Sequence, residues 1–158
     1  MWDGERRSVS ISTGKERLMS EENRKAIRIS VRNLVEFVLR SGDIDNRRSG
    51  NAQKDAMLAG GRIHRKIQKR MGSGYRAEVP LKHEVQDEEQ EITLLVEGRA
   101  DGIFTENGIP VIDEIKGMYT DISRLEEPIE VHLAQAMCYG YFYCCDKDLD
   151  GIRLQMTY

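Results

Sequence analysis

The sequence predicts a mixed α/β fold in which a central β-sheet is flanked by α-helices. Residues 31–39 repeat apolar side chains at helical spacing, whereas residues 75–117 alternate and are rich in β-branched side chains, as strands are. A further helical pattern at residues 130–145 precedes strand-like residues 151–158. The predicted order is helix, helix, three or four adjacent strands, helix and strand. Because a strand that follows a helical crossover pairs in parallel, we expect a mixed sheet.

The chain has the length and composition of one folded domain. It contains 158 residues, of which 39% are hydrophobic and 32% charged, enough for a moderate core but too few for two full domains. No apolar run approaches the roughly 20 residues that cross a bilayer. Residues 1–20 carry charges throughout and lack the apolar stretch of a signal peptide. We therefore expect no membrane association.

The domain boundary and the compartment follow from the two ends of the chain. Residues 1–23 are polar and are predicted to form an N-terminal arm, which leaves residues 24–158 as the domain. The sequence stops within strand-like residues, so we expect it to be part of a longer protein. Its three cysteines, an odd number, cannot make a full disulfide framework. This favours a reducing, intracellular location, and we predict the cytoplasm.

Two helices are predicted in the first half of the domain. Ser30 can cap the first, and Ser41-Gly42 can end it. The second is predicted over residues 53–71, with an interruption or bend at Gly60-Gly61. Its later half has a basic face, on which we predict DNA contacts by Arg62, Arg65, Lys66 and Lys69. A solvated helix face is the alternative interpretation.

The strands are predicted at residues 75–85, 91–96, 99–105 and 109–117. An acidic hairpin tip joins the first two, and a turn containing Asn107-Gly108 precedes the last.

Charge is unevenly divided along the chain. Residues 1–76 contain 18 lysines and arginines against 9 acidic residues, and residues 77–158 contain 6 against 18. This division is typical of a protein whose first half meets a polyanion and whose second half holds cations. Attraction between the two halves of the fold is the alternative.

A pair of charged side chains stands on the otherwise apolar strand at residues 111–117. Alternation places Glu114 and Lys116 on one face and Asp113 on the other, while Asp101 lies between glycines on the preceding strand. Two carboxylates on neighbouring strands repel each other unless a cation or proton joins them, and Mg²⁺ and Mn²⁺ favour such oxygen ligands. A lysine beside them can orient a water or offset charge on a phosphate. The alternative is a surface ion pair.

Asp101 followed by Glu114-Ile115-Lys116 resembles the signature of the PD-(D/E)XK nuclease superfamily, although Ala100 stands where that signature has proline. Two further motifs resemble its RecB-like branch: GRIH, which ends at His64, and the pair Gln135 and Tyr139 in HLAQAMCY. The resemblance covers residues 60–158 and implies a restriction-endonuclease-like core.

The resemblance also implies an activity and a set of roles. A Mg²⁺ or Mn²⁺ ion would be held by His64, Asp101, Glu114 and the Ile115 carbonyl. Lys116 would assist the attacking water, and Gln135 and Tyr139 would organise the substrate. The expected function is a DNA exonuclease of repair or recombination, with DNA as partner and a helicase in the same chain or complex.

Several alternatives stay open at this point. The protein could be a structure-specific endonuclease, or a module of nuclease fold that binds nucleic acid without cleavage. Some RecB-like relatives hold an iron–sulfur cluster with four cysteines, but no cysteine precedes Cys138 here, so no cluster is expected. Glu78 could approach the metal site, but a solvated strand face is the favoured interpretation, and His83 is expected on the surface.

Overall fold

A computed structural model describes residues 25–39, 50–117, 125 and 127–158, so the predicted arm at residues 1–23 lies outside the described residues. The described residues form five strands and three helices. In chain order these are β1 (Lys25–Ser30), α1 (Val31–Val38), α2 (Gly50–Gln68), β2 (Arg76–Asp87), β3 (Ile92–Glu106), β4 (Ile109–Ile115), α3 (Glu130–Lys147) and β5 (Arg153–Thr157).

The sheet is built around the long strand β3. β2 runs antiparallel along one edge of β3 over almost its whole length. The other edge is shared, because β1 pairs in parallel with its first half and β4 pairs antiparallel with its second half. β5 follows α3 and pairs in parallel with β4. The predicted α/β class, mixed sheet and parallel crossover are therefore confirmed.

Local sequence signals explain how several elements begin and end. The Ser30 hydroxyl accepts a hydrogen bond from the Asn33 amide (3.1 Å), as predicted for the cap of α1. At the tip of the β2–β3 hairpin, the Asp87 carboxylate accepts hydrogen bonds from the amides of Glu89 and Gln90. These bonds satisfy backbone donors that neither helix nor sheet can satisfy.

Three elements differ from the sequence-based expectation. β1 is a strand that the sequence analysis did not predict, although Ile27 and Ile29 alternate with Arg28 and Ser30 in it. α2 runs without interruption through Gly60-Gly61, because a glycine inside a helix costs only about 1 kcal/mol. β3 is one strand rather than two, since Gly98 does not break it.

The hydrophobic core lies between the sheet and the helices α1 and α3. It contains buried side chains from both helices and from β3 and β4, among them Val31, Val35, Ala100, Ile112 and Phe142. His83, expected on the surface, is instead half-buried and stacks on the Phe142 ring with 5.4 Å between ring centroids.

In the part of the chain that the structure describes, no helix is long and apolar enough to cross a membrane.

An opening between β1 and β4 positions the candidate site. On this edge of β3, pairing with β1 ends at Glu97 and pairing with β4 begins at Gly102. In the intervening stretch, the Arg99 amide donates to the Tyr139 hydroxyl (3.3 Å) instead of to a strand. A Cβ at Gly98 would lie 2.6 Å from that hydroxyl oxygen, so the close approach of Tyr139 requires glycine.

Candidate metal centre

Asp101 lies where β4 separates from β3, and its carboxylate connects two other elements. One oxygen, Oδ2, accepts a hydrogen bond from the Ile115 amide at the end of β4 (2.8 Å). The other, Oδ1, lies 3.1 Å from Nδ1 of His64 on α2. The predicted convergence of Asp101 with His64 and with the strand that carries Glu114 is therefore present in the structure.

Glu114 and Lys116 form an ion pair beside Asp101. Their charged atoms, Oε1 and Nζ, are 2.6 Å apart, and Glu114 is only 3% exposed. The pKa of Glu114 is raised to about 7. Burial is the largest cause and the nearby negative charge of Asp101 adds to it, while the attraction of Lys116 opposes both. The second oxygen of Glu114, Oε2, is buried without a hydrogen-bond partner. A buried carboxylate with one unsatisfied oxygen has room for a further cationic partner.

Glu78 is exposed on its strand, as the sequence analysis expected, and it also lies beside two of the predicted metal ligands. Ligand atoms of His64, Glu78 and Asp101 lie within 4.8 Å of one another. Gln68, the last residue of α2, donates from Nε2 to Oε1 of Glu78 (3.1 Å) and to the carbonyl of Asp101 (3.0 Å). Glu114 is not in the set of three, although Asp101 and His64 both influence its charge.

An irregularity in the β2–β3 ladder brings Glu78 into the site. Glu78 has a left-handed backbone (φ 54°), an uncommon conformation for a residue with a side chain. It stands opposite Asp101 but does not pair with it, whereas the neighbours Ala77 and Val79 do pair with β3. Ala100 and Ile103 both face the core although they are three positions apart, so the alternation of β3 is also offset here. Sequence alternation alone could not reveal this offset.

One sequence signal does relate Gln68 to the site. Gln68 follows His64 by four positions, so both side chains project from the same face of α2.

The pKa of His64 is raised above its ordinary value. The hydrogen bond to Asp101 raises it more than burial lowers it. A metal would require the neutral imidazole, so metal binding is expected to release a proton from His64 where that group is charged.

The ligand atoms of His64, Glu78 and Asp101 could together hold a metal ion. Glu114 lies outside this set, and its buried Oε2 is a further carboxylate oxygen without a hydrogen-bond partner. Ile115 donates its amide to Asp101, while the role of its carbonyl as a metal ligand stays a prediction.

Gln135 and Tyr139 are buried on one face of α3, at 5% and 7% exposure. Burial raises the pKa of Tyr139 to about 12, so its hydroxyl stays protonated. Because that hydroxyl accepts from the Arg99 amide, Tyr139 contacts the backbone next to Asp101. Tyr139 therefore contacts β3, the strand that carries Asp101.

Asp113 points to the opposite side of the sheet from Glu114, as alternation predicts. It is fully buried and accepts hydrogen bonds from Tyr75 (2.8 Å), Gln155 (3.2 Å) and Thr157 (2.6 Å). The Tyr75 ring lies over Gly102, where a Cβ would collide with it. This cluster fastens β4 and β5 directly behind the candidate site.

The basic side chains predicted to contact DNA are exposed, three of them on α2 and Lys69 directly after its last residue. They are Arg62, Arg65, Lys66 and Lys69. Because His64 belongs to the same helix, this basic face begins beside the candidate site.

The three cysteines form no disulfide bond: Cys138 and Cys144 are half-buried and Cys145 is exposed.

No protein-family model matches the chain, and no curated protein matches it. A solved structure described as the crystal structure of SSO0001 is similar in fold, with a TM-score of 0.51 and 20% sequence identity. The similarity covers 82% of this chain and 64% of that one, so the chain spans less than two thirds of the length of the solved protein. At this identity the similarity shows the fold alone.

Proposed function

We propose that the protein is a divalent-metal-dependent DNA nuclease, a PD-(D/E)XK enzyme of the RecB-like type. One observation carries the proposal: His64, Glu78 and Asp101 present ligand atoms within 4.8 Å of one another, directly beside the buried Glu114–Lys116 ion pair. A surface ion pair would not require a buried glutamate with an unsatisfied oxygen.

The metal would be held by His64, Asp101 and Glu114 with the Ile115 carbonyl, and Glu78 adds a further carboxylate. When bound, a Mg²⁺ or Mn²⁺ ion supplies stabilisation of the negative charge that develops on the phosphate. The remaining roles belong to side chains of this chain. Tyr139 and Gln68 hold the backbone on either side of Asp101, which fixes the carboxylate relative to the substrate.

Lys116 is placed to act on the reacting groups. Its side chain is 25% exposed, so its ammonium group reaches solvent while it remains bound to Glu114. It can donate to the attacking water, and its charge offsets that of the phosphate. The water oxygen attacks phosphorus and gives up a proton to solvent, the bond to the departing nucleotide oxygen breaks, and that oxygen takes up a proton from solvent.

We propose further that the enzyme is an exonuclease of DNA repair or recombination in the cytoplasm, acting together with a helicase. Incubation of linear and covalently closed circular DNA with Mg²⁺ tests this. Degradation of the linear DNA alone is the expected result. Cleavage of the circle would identify an endonuclease, and intact DNA of both kinds would contradict nuclease activity.

Matched variants assign the activity to the site. Glu114→Gln and Lys116→Ala should abolish cleavage while the protein stays folded. Asp150→Asn, an exposed carboxylate beyond the far end of α3, is the control and should retain wild-type cleavage. Equal activity of all three variants would remove Glu114 and Lys116 from the mechanism.

A further inference from the structure

The second half of α2 contributes no buried side chain to the protein. Among residues 58 and 60–68, whose side chains the structure describes, none is buried. Leu58 and Ile63 are 63% and 37% exposed, and Ile67 is half-buried. The Cδ1 atom of Ile63 lies close to Gly117, where a Cβ would be 2.9 Å from it. A segment with so little apolar burial is expected to open more readily than the core.

Polar contacts with the candidate metal centre hold this half of α2 against the sheet. Nδ1 of His64 lies 3.1 Å from Oδ1 of Asp101 on β3. Gln68, one turn later, donates to Oε1 of Glu78 on β2 (3.1 Å) and to the carbonyl of Asp101 (3.0 Å). The residues that fasten α2 to the sheet are therefore the candidate metal ligands and a direct neighbour of them.

Helix α2 is not expected to stay folded away from the sheet. It has 19 residues, and helices of such length owe most of their stability in proteins to packing against the rest of the fold. Two adjacent glycines, Gly60 and Gly61, weaken it further, because glycine loses more backbone freedom in a helix than other residues do. Separation of α2 from the sheet would therefore expose its backbone amides to solvent.

We infer that the metal centre has a structural role besides its role in cleavage: it clamps α2 to the sheet, because His64 lies on α2 while Glu78 and Asp101 lie on β2 and β3. These three residues can share one metal ion only while α2 is in place, so metal binding stabilises the docked helix. The basic side chains of α2 are thereby held in position by the same centre that serves the chemistry. The inference rests on the proposed function for its metal centre, but it does not require that the chain cleave DNA.

Hydrogen–deuterium exchange of the full chain, followed by mass spectrometry with and without Mn²⁺, tests the inference. Without Mn²⁺, the amides of residues 60–68 should exchange faster than those of residues 134–142 in α3, which packs on the core. If only the docked helix binds the ion, Mn²⁺ at about 100 times its dissociation constant slows the exchange of residues 60–68 by about 100-fold. Because Glu78 and Asp101 can retain some affinity when α2 opens, the expected decrease is about 10-fold to 100-fold.

Two variants of α2 and one distant segment provide the controls. His64→Ala removes the ligand on α2, so Mn²⁺ should leave the exchange of residues 60–68 unchanged even where the carboxylates of the sheet still bind it. Arg65→Ala replaces the exposed neighbour of His64 and should keep the full decrease. The hairpin tip at residues 87–91 can open without disturbing a candidate ligand, so its exchange should be the same with and without Mn²⁺.

Mn²⁺ binding by the same proteins is measured by calorimetry, which separates the two proposals. Binding together with a decrease of less than about 10-fold at residues 60–68 would overturn the clamp and leave the metal centre standing. An equal decrease in His64→Ala would also overturn the clamp, since the effect would not then depend on the ligand of α2. Absence of Mn²⁺ binding would refute the metal centre, and with it both the clamp and the proposed function.

Discussion

Asp101 shows how one side chain can organise a site from three elements. Its two oxygens serve different partners, the Ile115 amide on β4 and the His64 ring on α2, while Gln68 holds its carbonyl. Such a carboxylate is fixed by hydrogen bonds before any ligand arrives, so little ordering is needed on binding. The carboxylate that stands directly before Gly102 in the sequence is thus the centre of the network.

Glu114 should make stability depend on pH in the absence of divalent ions. Burial raises its pKa from 4.5 to about 7 in the folded protein. Between these values the folded state binds a proton that the unfolded chain releases, so the free energy of unfolding falls as pH rises, by about 3 kcal/mol in all. Above pH 7 this contribution is constant. Urea denaturation with a chelator at pH 4.5, 6 and 8 measures it.

Glu114→Gln is the matched variant for this measurement, because it keeps the shape of the side chain and cannot ionise. The decrease in unfolding free energy between pH 4.5 and 7 should be smaller than in the wild type by that amount. An identical pH dependence in the two proteins would show that Glu114 does not titrate in this range.

Glu78 has a backbone conformation that favours function over stability. A left-handed residue with a Cβ costs about 1–2 kcal/mol, and glycine avoids that cost but loses about 0.5–1 kcal/mol in unfolded-state entropy. Glu78→Gly should therefore raise the free energy of unfolding by about 0.5 kcal/mol and weaken Mn²⁺ binding. Denaturation and calorimetry measure the two effects. A loss of stability together with unchanged Mn²⁺ affinity would contradict both parts.

At the scale of elements, Tyr139 of α3 and Gly98 of β3 form a matched pair. A Cβ at position 98 would press on the phenol, so Gly98→Ala should cost about 1–3 kcal/mol of stability. In a Tyr139→Leu background, which removes the hydroxyl and shortens the side chain, the same substitution should cost less. Thermal unfolding of the four proteins of this cycle provides the comparison. Additive costs would mean that the two residues do not contact each other.

Helix α2 should guide DNA through charge alone. Replacing Arg62, Arg65, Lys66 and Lys69 singly by glutamine should weaken binding to a similar extent for unrelated DNA sequences, and it should reduce the salt dependence. Mn²⁺ affinity should stay the same, because these side chains are exposed and are not among the candidate metal ligands. Loss of Mn²⁺ binding in these variants would instead assign them to the metal centre.

The sequence predicts a structural feature correctly where the residues that cause it are close together in the chain. The cap of α1, the alternation of Glu114 and Lys116 on β4 and the helical crossover to β5 are all visible in short stretches of sequence, and all are present. β1 is a strand because β3 pairs with it, and the path of β3 through Gly98 depends on a tyrosine about forty residues later. Tertiary contacts of this kind have no signature in the strands themselves.

For the whole molecule, the candidate site combines predicted and unpredicted residues. Motif spacing indicated His64, Asp101, Glu114 and Lys116, and the fold brings them together. Glu78 joined them only through a left-handed residue opposite Asp101, which no pattern of residue types reveals. Carboxylates of the acidic second half, Glu78 and Asp101, lie beside His64 of α2 in the basic first half.

The proposed chemistry depends on Asp101 connecting the ligands of one divalent metal centre. The decisive experiment is isothermal titration of Mn²⁺ into the wild-type chain and into Asp101→Ala, with Asp150→Asn as the control. We expect binding by the wild type and the control, and loss or a decrease of at least about 10-fold in the affinity of Asp101→Ala. Equal Mn²⁺ affinity of all three proteins would contradict the assignment of the centre to Asp101.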